Sequence, residues 1–434
     1  MTKFLKYGIY FLIFILPFQT RYFLASNNIN GQFWEYGSYA AYLSEVLLIL
    51  LVIAKLCSLI YPQIGRVNDK KPIKIQNIVF LFLFFLIYII ASNIWSINKE
   101  ISLFYTIRFM EISLLIWLIL TTQINKQKLF LVLILSLLIH ACLGIWQFFI
   151  QEVYAIKWLG IAGQNPINQG VSVVETHLRR FLRAYGGQPH PNIFGGWLLL
   201  GIWTTVFLYQ EHKQRIQIFL LLIAYSIFFI ALVLTFSRSA WLGFVLGWVV
   251  LLIGYKNRHF RISRLVIIKF LLITSLLSII LGVLLREPLT ERGTPLFFLQ
   301  PPQMNRLEEK SIQERQAGIK ESVDIIKKYP WMGIGIGAYT FNLHILYPQE
   351  PVWRLQPVHN IFLLDWSEIG AAGMIIFLII ILFLLWRIYQ DKNLLGLVLF
   401  FSFIPLAGLD HYLWSLYSGL MLTAAAIAIS IKNN

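Results

Sequence analysis

Arg238 interrupts a stretch of sequence that otherwise carries no charge. It lies in Thr-Phe-Ser-Arg-Ser-Ala (235–240) and is the only formally charged residue between Arg215 and Lys256. A guanidinium group at the mouth of an apolar hairpin costs free energy unless an anion or carbonyl oxygens receive it. The flanking Ser237 and Ser239 favour a polar pocket that binds an anion. The alternative is an interfacial arginine that reaches the lipid headgroups.

Arg183 begins a second polar stretch, Arg-Ala-Tyr-Gly-Gly-Gln-Pro-His-Pro-Asn (183–192), which leads directly into an apolar run. Its two glycines and two prolines predict a bent, non-helical backbone. At membrane depth such a backbone is tolerated only where protein or a water-filled cavity supports it. Arg183 is therefore a second candidate for anion binding, and the alternative is an ordinary helix start that Asn192 helps to cap.

Arg315 is the third basic candidate, and helical periodicity singles it out. Residues 306–328 contain no proline and a single glycine, and four β-branched apolar residues recur there at helical spacing: Ile312, Ile319, Val323 and Ile326. This pattern predicts an amphipathic helix with Arg315 inside its apolar stripe. Other charged residues are expected on its exposed surface: Glu308, Lys310, Glu321 and Lys328. A salt bridge from Arg315 to an acid of another segment is the alternative to a ligand site.

His359 stands just before an apolar run that begins at residue 361. A histidine exchanges a proton near neutral pH, so His359 at the end of a helix beside a cavity suits a general base. Capping or packing of the helix is the alternative. Asp365 and Glu368 are three residues apart and share a helical face, which predicts either a partnered acid site or ion pairs with Arg238 or Arg183.

Three glycines alternate in Gly-Ile-Gly-Ile-Gly (333–337) and follow Tyr-Pro-Trp-Met, which ends the preceding helix. Gly333 and Gly335 allow backbone N–H groups to approach a ligand, and tight packing of a re-entrant loop explains them equally well. No strand precedes the glycines, so a dinucleotide-binding unit is excluded.

Long apolar helices must position all these residues. The chain has 434 residues, of which 58% are hydrophobic and 13% charged, and its mean hydropathy of +0.70 excludes an ordinary water-soluble protein. The sequence predicts an all-α integral membrane protein that forms one polytopic domain over 1–434, with long connections at 151–190 and 286–359. Twelve spans are predicted, at 4–24, 39–60, 77–97, 102–120, 128–150, 191–209, 216–235, 240–255, 265–285, 360–386, 393–409 and 412–431.

Basic residues sort by side of the membrane. One set of short connections holds Lys3, Lys6, Arg66, Lys70, Lys71, Lys74, Lys126, Lys128, Lys213, Arg215, Lys256, Arg258, Arg261, Arg264, Arg387, Lys392 and Lys432, and the other holds only Arg21, Lys99 and Arg238. The positive-inside bias predicts cytoplasmic termini and places both long connections on the outer face. The net charge of +16 therefore indicates topology rather than nucleic-acid binding.

Several catalytic machineries have no counterpart in the sequence. It lacks a phosphate-binding loop, a zinc-binding His-Glu-x-x-His, and the Asp-x-Asp of metal-dependent nucleotide-sugar transferases. Cys57 and Cys142 lie in apolar runs, so neither a disulfide nor a metal is assigned to them. No cofactor and no metal are expected.

In their order and spacing, these residues resemble the O-antigen ligase and polymerase superfamily of multispanning glycosyltransferases. The resemblance covers about 180–385 and rests on Arg183 with Gly186 and Asn192, Ser237-Arg238-Ser239, Arg315 before Tyr329-Pro-Trp-Met-Gly-Ile-Gly, and His359-Asn360 followed by Glu368-Ile-Gly370. It implies a GT-C-type fold of about twelve helices in the plasma membrane. It also implies a metal-independent enzyme whose donor is an undecaprenyl-pyrophosphate-linked glycan.

The resemblance also implies the roles of the residues. Arg238, Arg315 and Arg183 are expected to bind the donor pyrophosphate, and His359 to activate the acceptor hydroxyl. The expected supporting residues are Asn360, Glu368, Asp365, Ser237, Ser239, Gly333 and Gly335.

The sequence therefore predicts a ligase that moves a glycan from the lipid carrier to an acceptor on the outer face, where the acceptor is a lipid A core, another glycolipid or a protein. A polymerase that uses a second lipid-linked repeat as its acceptor is the alternative. A transporter of lipid-linked glycan and a non-catalytic scaffold are the hypotheses from other classes. A transporter predicts internally repeated halves, and we find none in the sequence.

Overall fold

A computed structural model of the chain describes residues 2–60, 76–177, 179–212, 214–257, 260, 262–297 and 306–432. Seven of the basic residues used to predict the orientation lie outside these residues: Arg66, Lys70, Lys71, Lys74, Lys213, Arg258 and Arg261. Within the described part, helices dominate and no closed sheet forms, which confirms the all-α fold class.

The first nine helices are α1 (Thr2–Ile15), α2 (Leu43–Ile60), α3 (Gln76–Ser92), α4 (Lys99–Thr121), α5 (Lys126–Ile150), α6 (Pro191–Glu211), α7 (Arg215–Leu234), α8 (Arg238–Lys256) and α9 (Arg264–Leu284). The others are α10 (Arg286–Phe297), α11 (Arg306–Lys328), α12 (Tyr339–Leu346), α13 (Ile361–Gln390), α14 (Leu394–Leu409), α15 (Tyr412–Ser415) and α16 (Tyr417–Ile431). Three short antiparallel pairs join β1 (Arg21–Ala25) to β4 (Tyr39–Tyr42), β2 (Asn28–Ile29) to β3 (Gln32–Phe33), and β5 (Val173–Glu175) to β6 (Arg180–Leu182).

Among the residues that the structure describes, eight helices are long and apolar enough to cross a membrane, namely α2, α4, α5, α6, α7, α8, α9 and α13. Shorter apolar helices at Phe80–Ser92, Leu394–Leu409 and Tyr417–Ile431 coincide with three further predicted spans. The prediction for the first span, 4–24, was too long, because α1 ends at Ile15 and Arg21–Ala25 forms a strand. Arg21 pairs there with Glu35, and this ion pair keeps the segment in the extended hairpin.

α6 lies at the centre of the helix bundle. It is buried along almost its whole length and packs against α5, α7, α8, α14 and α16. α9, in contrast, exposes large apolar side chains such as Leu272, Ile279 and Val283. An apolar surface of this kind suits lipid rather than water. The bundle therefore encloses α6 and turns the apolar face of α9 outward.

The helix predicted over 306–328 is present as α11, but its buried face differs from the prediction. Ile319 is 47% exposed, whereas Glu308 and Glu321, which were expected on the surface, are each 8% exposed. Glu308 contacts Arg238 and Arg292, and Glu321 pairs with Arg354. Ion pairs therefore decide which face of α11 is covered, because a paired carboxylate can be buried where an unpaired one cannot.

A break in α13 receives the glycine loop 333–337. Gly370 has φ of 69° and ψ of −179° inside this helix. Backbone hydrogen bonds join the loop and the residues just before it to α13. Gly335 N–H donates to the Glu368 carbonyl at 2.8 Å and Ile334 N–H to the Ser367 carbonyl at 3.1 Å, while Ala371 N–H donates to the Pro330 carbonyl at 2.8 Å. The loop thus packs against α13, as the re-entrant-loop interpretation of Gly333 and Gly335 predicts.

We expect Gly370→Ala to lower the unfolding temperature of the purified protein in detergent by several degrees. A side chain at this φ and ψ is strained by about 1–3 kcal/mol, and its Cβ would overlap the Trp331 carbonyl. Gly282→Ala in α9 is the matched control, since a Cβ there meets open space. Equal unfolding temperatures for the two variants would contradict the contact. Differential scanning fluorimetry measures both.

Candidate functional site

The three predicted arginines and His359 come together at one end of the helix bundle. Arg183 lies in the segment that leads into α6, and Arg238 is the first residue of α8. His359 precedes α13, and the turn between α14 and α15 carries Asp410 and His411. The amphipathic helix α11 brings Arg315 to the same place. Four connections that are distant in sequence therefore build one polar cluster.

Arg183 is buried and holds two parts of the backbone together. Its Nε donates to the Thr235 carbonyl and its guanidinium NH2 donates to Asn192 Oδ1, both at 2.6 Å. Burial and the nearby charge of Arg292 lower the pKa of Arg183 well below its ordinary value. The prediction that Asn192 helps to cap α6 was wrong. His190 is the cap, because its Nδ1 accepts from the Asn192 N–H at 3.1 Å.

Asp410 is the residue that links this arginine to the histidines, and sequence analysis missed it. Its Oδ2 accepts from Asn192 Nδ2 at 2.7 Å, and its Oδ1 accepts from the His411 N–H at 2.8 Å. The ring of His411 lies perpendicular to that of His359, with 5.1 Å between their centroids. The sequence signal was an acid and a histidine placed between two predicted spans.

His359 is half-buried between charges of opposite sign. Burial lowers the pKa of its imidazole, Asp410 opposes this effect, and Arg315 adds to it. A lowered pKa leaves His359 neutral at pH 7, which is the form that accepts a proton. Asn360 caps α13, because its Oδ1 accepts from the Leu363 N–H at 3.0 Å. Its Nδ2 donates to the Gly408 carbonyl at 3.1 Å, which fixes His359 relative to the end of α14.

Arg238 and Arg292 share one carboxylate. Arg238 NH2 lies 3.0 Å from Glu308 Oε2, and Arg292 contacts Glu308 Oε1. Arg292 also donates from Nε to the Phe236 carbonyl at 3.1 Å. Burial and the charge of Arg238 lower the pKa of Arg292 to about 10, although Glu308 opposes the shift. Sequence analysis missed Arg292, since its neighbours have no apolar periodicity.

Arg315 is the least satisfied of these arginines. Its Nε is buried and finds no hydrogen-bond acceptor among the described residues. Within the same part of the chain it forms no ion pair, so the salt bridge considered from the sequence is absent. Burial, followed by the charge of Arg238, lowers the pKa of Arg315. A guanidinium group with a buried and unused Nε–H donor favours an anionic ligand.

Two backbone carbonyl oxygens in the turn before Arg238 accept hydrogen bonds from arginines. Phe236 takes a positive φ of 48°, and the carbonyls of Thr235 and Phe236 receive Arg183 and Arg292 respectively. Ser237 is fully buried, and its Oγ lies 3.3 Å from Ser239 Oγ. The two serines therefore make the turn polar, as the sequence indicated.

Asp365 and Glu368 do not pair with Arg238 or Arg183, although the sequence allowed such pairs. Glu368 accepts from Trp414 Nε1 at 2.9 Å and from the Tyr339 N–H at 3.4 Å. Asp365 is fully buried, and neither of its oxygens has a hydrogen-bond partner among the described residues. Glu368 therefore fixes the packing of α13 against α12 and α15.

His359, Asp410 and His411 also satisfy one geometric requirement for metal binding. One ligand atom from each lies within 4.8 Å of the others. Such a set suits a divalent transition metal. Other contacts compete for these atoms, since Asp410 already accepts two hydrogen bonds and His411 Nδ1 lies 2.7 Å from Ser415 Oγ.

An apolar cavity lies next to the polar cluster. Helices α3, α4, α13, α14, α15 and α16 form its walls, and it is lined by side chains such as Phe85, Ile361, Phe377, Leu413 and Trp414. Its lining is almost entirely apolar. Ile361 is two residues from His359, and Leu413 is two residues from His411, so the cavity and the cluster adjoin.

One comparison with known proteins matches part of the chain to a family. Residues 220–378 match the family model described as O-antigen ligase. The match includes Arg238, Arg315 and His359, whereas Arg183 and Asp410 lie outside it. No curated protein matches the chain.

We expect Asn192→Leu to lower the unfolding temperature more than the same change at Asn98. Leucine is similar in volume to asparagine but removes the hydrogen bonds to Arg183 and Asp410, which then have no shared partner. Breaking a buried charged network costs about 3–5 kcal/mol. Asn98→Leu removes a helix cap, which is worth about 1 kcal/mol. Thermal unfolding in detergent compares the variants, and equal losses would exclude a role for Asn192 in holding the charges.

Proposed function

We propose, on the premise that this chain is an O-antigen ligase family protein, that it transfers a glycan from an undecaprenyl-pyrophosphate carrier to an acceptor at the outer face of the plasma membrane. The observation that carries the proposal is that His359, Asp410 and the arginine cluster lie together, and that an apolar cavity begins two residues from His359, at Ile361. This arrangement matches an amphiphilic donor, since it offers cations for phosphates and an apolar volume for a polyprenyl chain.

The arginines are proposed to stabilise the leaving group. As the glycosidic bond breaks, its electron pair passes to the pyrophosphate, which gains negative charge. Arg238 and Arg315, with Arg183 beside them, lie preorganised in a poorly solvated cluster. We expect each guanidinium group to stabilise the transition state by about 2–4 kcal/mol through charge-assisted hydrogen bonds from the N–H donors that it has free.

His359 is proposed to remove the proton from the acceptor hydroxyl while the oxygen attacks the anomeric carbon. A neutral imidazole is required for this step, and burial favours the neutral form. General base catalysis of this kind contributes about 10²–10⁴-fold. Asp410 accepts a hydrogen bond from the His411 backbone N–H, and the ring of His411 contacts the ring of His359. The Asp410 carboxylate therefore lies close to both histidines. A direct displacement would invert the anomeric configuration.

Basic residues at the opposite end of the bundle support the proposed orientation. Lys126 begins α5, Arg215 begins α7, Lys256 ends α8 and Arg264 begins α9. All four helix ends lie opposite to the cluster. The positive-inside bias therefore supports a cytoplasmic location for these ends and for both termini, with the cluster on the outer face.

A ligase is the preferred form of the activity, and a polymerase is the second candidate. Both use the same donor chemistry and differ in the acceptor, which is a separate glycolipid or protein in a ligase and another lipid-linked repeat in a polymerase. The long segment around α11 favours the ligase. A transporter is disfavoured, because Arg108 within α4 is paired with Glu45 at 2.7 Å and Glu111 at 3.0 Å and so is not an open anion site.

We expect His359→Ala to reduce transfer at least about 100-fold, since the acceptor loses its base. The measurement is the chain length of undecaprenyl-pyrophosphate-linked glycan, by mass spectrometry, in cells that lack the protein and carry the wild type or a variant. Long unattached chains indicate a ligase, and single repeats indicate a polymerase. His177→Ala is the control, because His177 lies in the other outer segment with its side chain 75% exposed. Normal product with His359→Ala at equal protein level would exclude the catalytic role.

We also expect EDTA or 1,10-phenanthroline to leave transfer by the purified protein unchanged, because guanidinium groups provide the positive charge at the leaving group. Loss of activity that a single divalent cation restores would instead make His359, Asp410 and His411 a metal site. His359 would then be a ligand and not the base.

A further inference from the structure

An acid of the protein itself occupies the centre of the arginine cluster. Glu308 lies between Arg238 and Arg292, and its side chain is 11% exposed. One carboxylate oxygen faces each guanidinium group. This is the geometry in which a phosphate with two anionic oxygens binds a pair of arginines.

The pairing of Glu308 leaves the cluster short of acceptors. Its Oε2 lies at ion-pair distance from Arg238 but makes no hydrogen bond within the described residues, and the Nε of Arg315 is likewise unused there. Among the described residues, four guanidinium groups, from Arg183, Arg238, Arg292 and Arg315, lie close to the carboxyl groups of Glu308 and Asp410. The cluster keeps a net positive charge, which a further anion would neutralise.

Glu308 and Arg315 belong to the same helix and the same face. They are seven residues apart, which is about two turns of α11 or roughly 10 Å. The C-terminal half of α11 is fixed to the bundle by Glu321 with Arg354 and by Ser322 Oγ, which lies 3.0 Å from Tyr339 Oη. The N-terminal half contacts the cluster through the charges of Glu308. A movement that withdraws Glu308 therefore also repositions Arg315.

We propose that Glu308 is a built-in competitor for the donor pyrophosphate and that Arg292 is a fourth phosphate ligand. In the structure the carboxylate takes the place of a phosphate between Arg238 and Arg292. The donor displaces it and gains both arginines, and after transfer its return helps to expel the pyrophosphate product. This inference rests on the proposed function, because it assigns a phosphate to the same cluster.

A purely structural role for Glu308 makes a different prediction. An acid in the first turn of a helix stabilises the helix dipole, and Glu309 is placed to do the same while it stays exposed. If Glu308 only holds α11 in place, its removal should loosen the cluster and weaken anion binding. If it competes, its removal should strengthen anion binding.

The test is the affinity of the full-length protein in detergent for farnesyl pyrophosphate, a soluble lipid pyrophosphate, measured by isothermal titration calorimetry. We expect Glu308→Gln to bind it about 10-fold more tightly than the wild type, and Arg292→Ala to bind it about 10-fold more weakly. Glu308→Asp, which keeps the charge but withdraws it by one methylene group, should lie between wild type and Glu308→Gln. Glu309→Gln is the matched control and should equal the wild type.

Unchanged or weaker binding by Glu308→Gln, while the wild type binds, would overturn the competitor role and leave the proposed function intact. Binding by Arg292→Ala equal to that of the wild type would remove Arg292 as a ligand. No binding by the wild type, Glu308→Gln or Glu308→Asp would refute the phosphate assignment itself, and with it both proposals. In a transfer assay, a lower KM together with a lower kcat for Glu308→Gln would show that loss of this carboxylate slows release of the pyrophosphate product.

Discussion

The cluster depends on one electrostatic constraint, which is that a guanidinium group at the end of an apolar helix bundle must be given acceptors. The arginines meet it to different degrees. Arg183 has a carbonyl and an amide oxygen. Arg238 and Arg292 share one carboxylate, and Arg315 keeps an unused buried donor within the described residues. Because an unsatisfied buried donor is costly, a ligand gains most where the protein supplies least. The degree to which the arginines are satisfied therefore falls from Arg183, whose Nε and NH2 already donate within the protein, to Arg315, where a ligand gains most.

The backbone around the cluster divides it into a fixed part and a part held by charge. The glycine loop 333–337 packs into the break of α13 at Gly370, and His359 lies just before the first residue of the same helix. The loop follows α11 directly, so the C-terminal end of α11 and the candidate base share one rigid support. The other end of α11 reaches Arg238 and Arg292 through a single carboxylate. An anion can replace that contact without disturbing the backbone that positions His359.

Local sequence patterns predicted the helices well, since hydropathy and periodicity are local properties. α11 has the predicted bounds, and α9 and α13 begin within a residue of the predicted spans. The partners of the arginines were not predictable in this way. Asp410 lies near Arg183 only because α6 and α14 pack together. Asn192 joins the two, and it binds Asp410 from 218 positions away in the sequence. Hydropathy equally failed for Glu308, because it treats a carboxylate as a surface residue whether or not an arginine receives it.

The choice of arginine over lysine follows from the same burial. Burial and neighbouring charge lower the pKa of Arg292 to about 10, which still leaves its guanidinium protonated at neutral pH. An ammonium group starts near 10.4, so the same shift would bring its pKa to about 8. A lysine at such a site would then be partly neutral near pH 8, whereas an arginine would remain charged. Arginine therefore gives a cluster of several cations at the boundary of an apolar bundle a wider margin of charge than lysine does, and this holds before any ligand is bound.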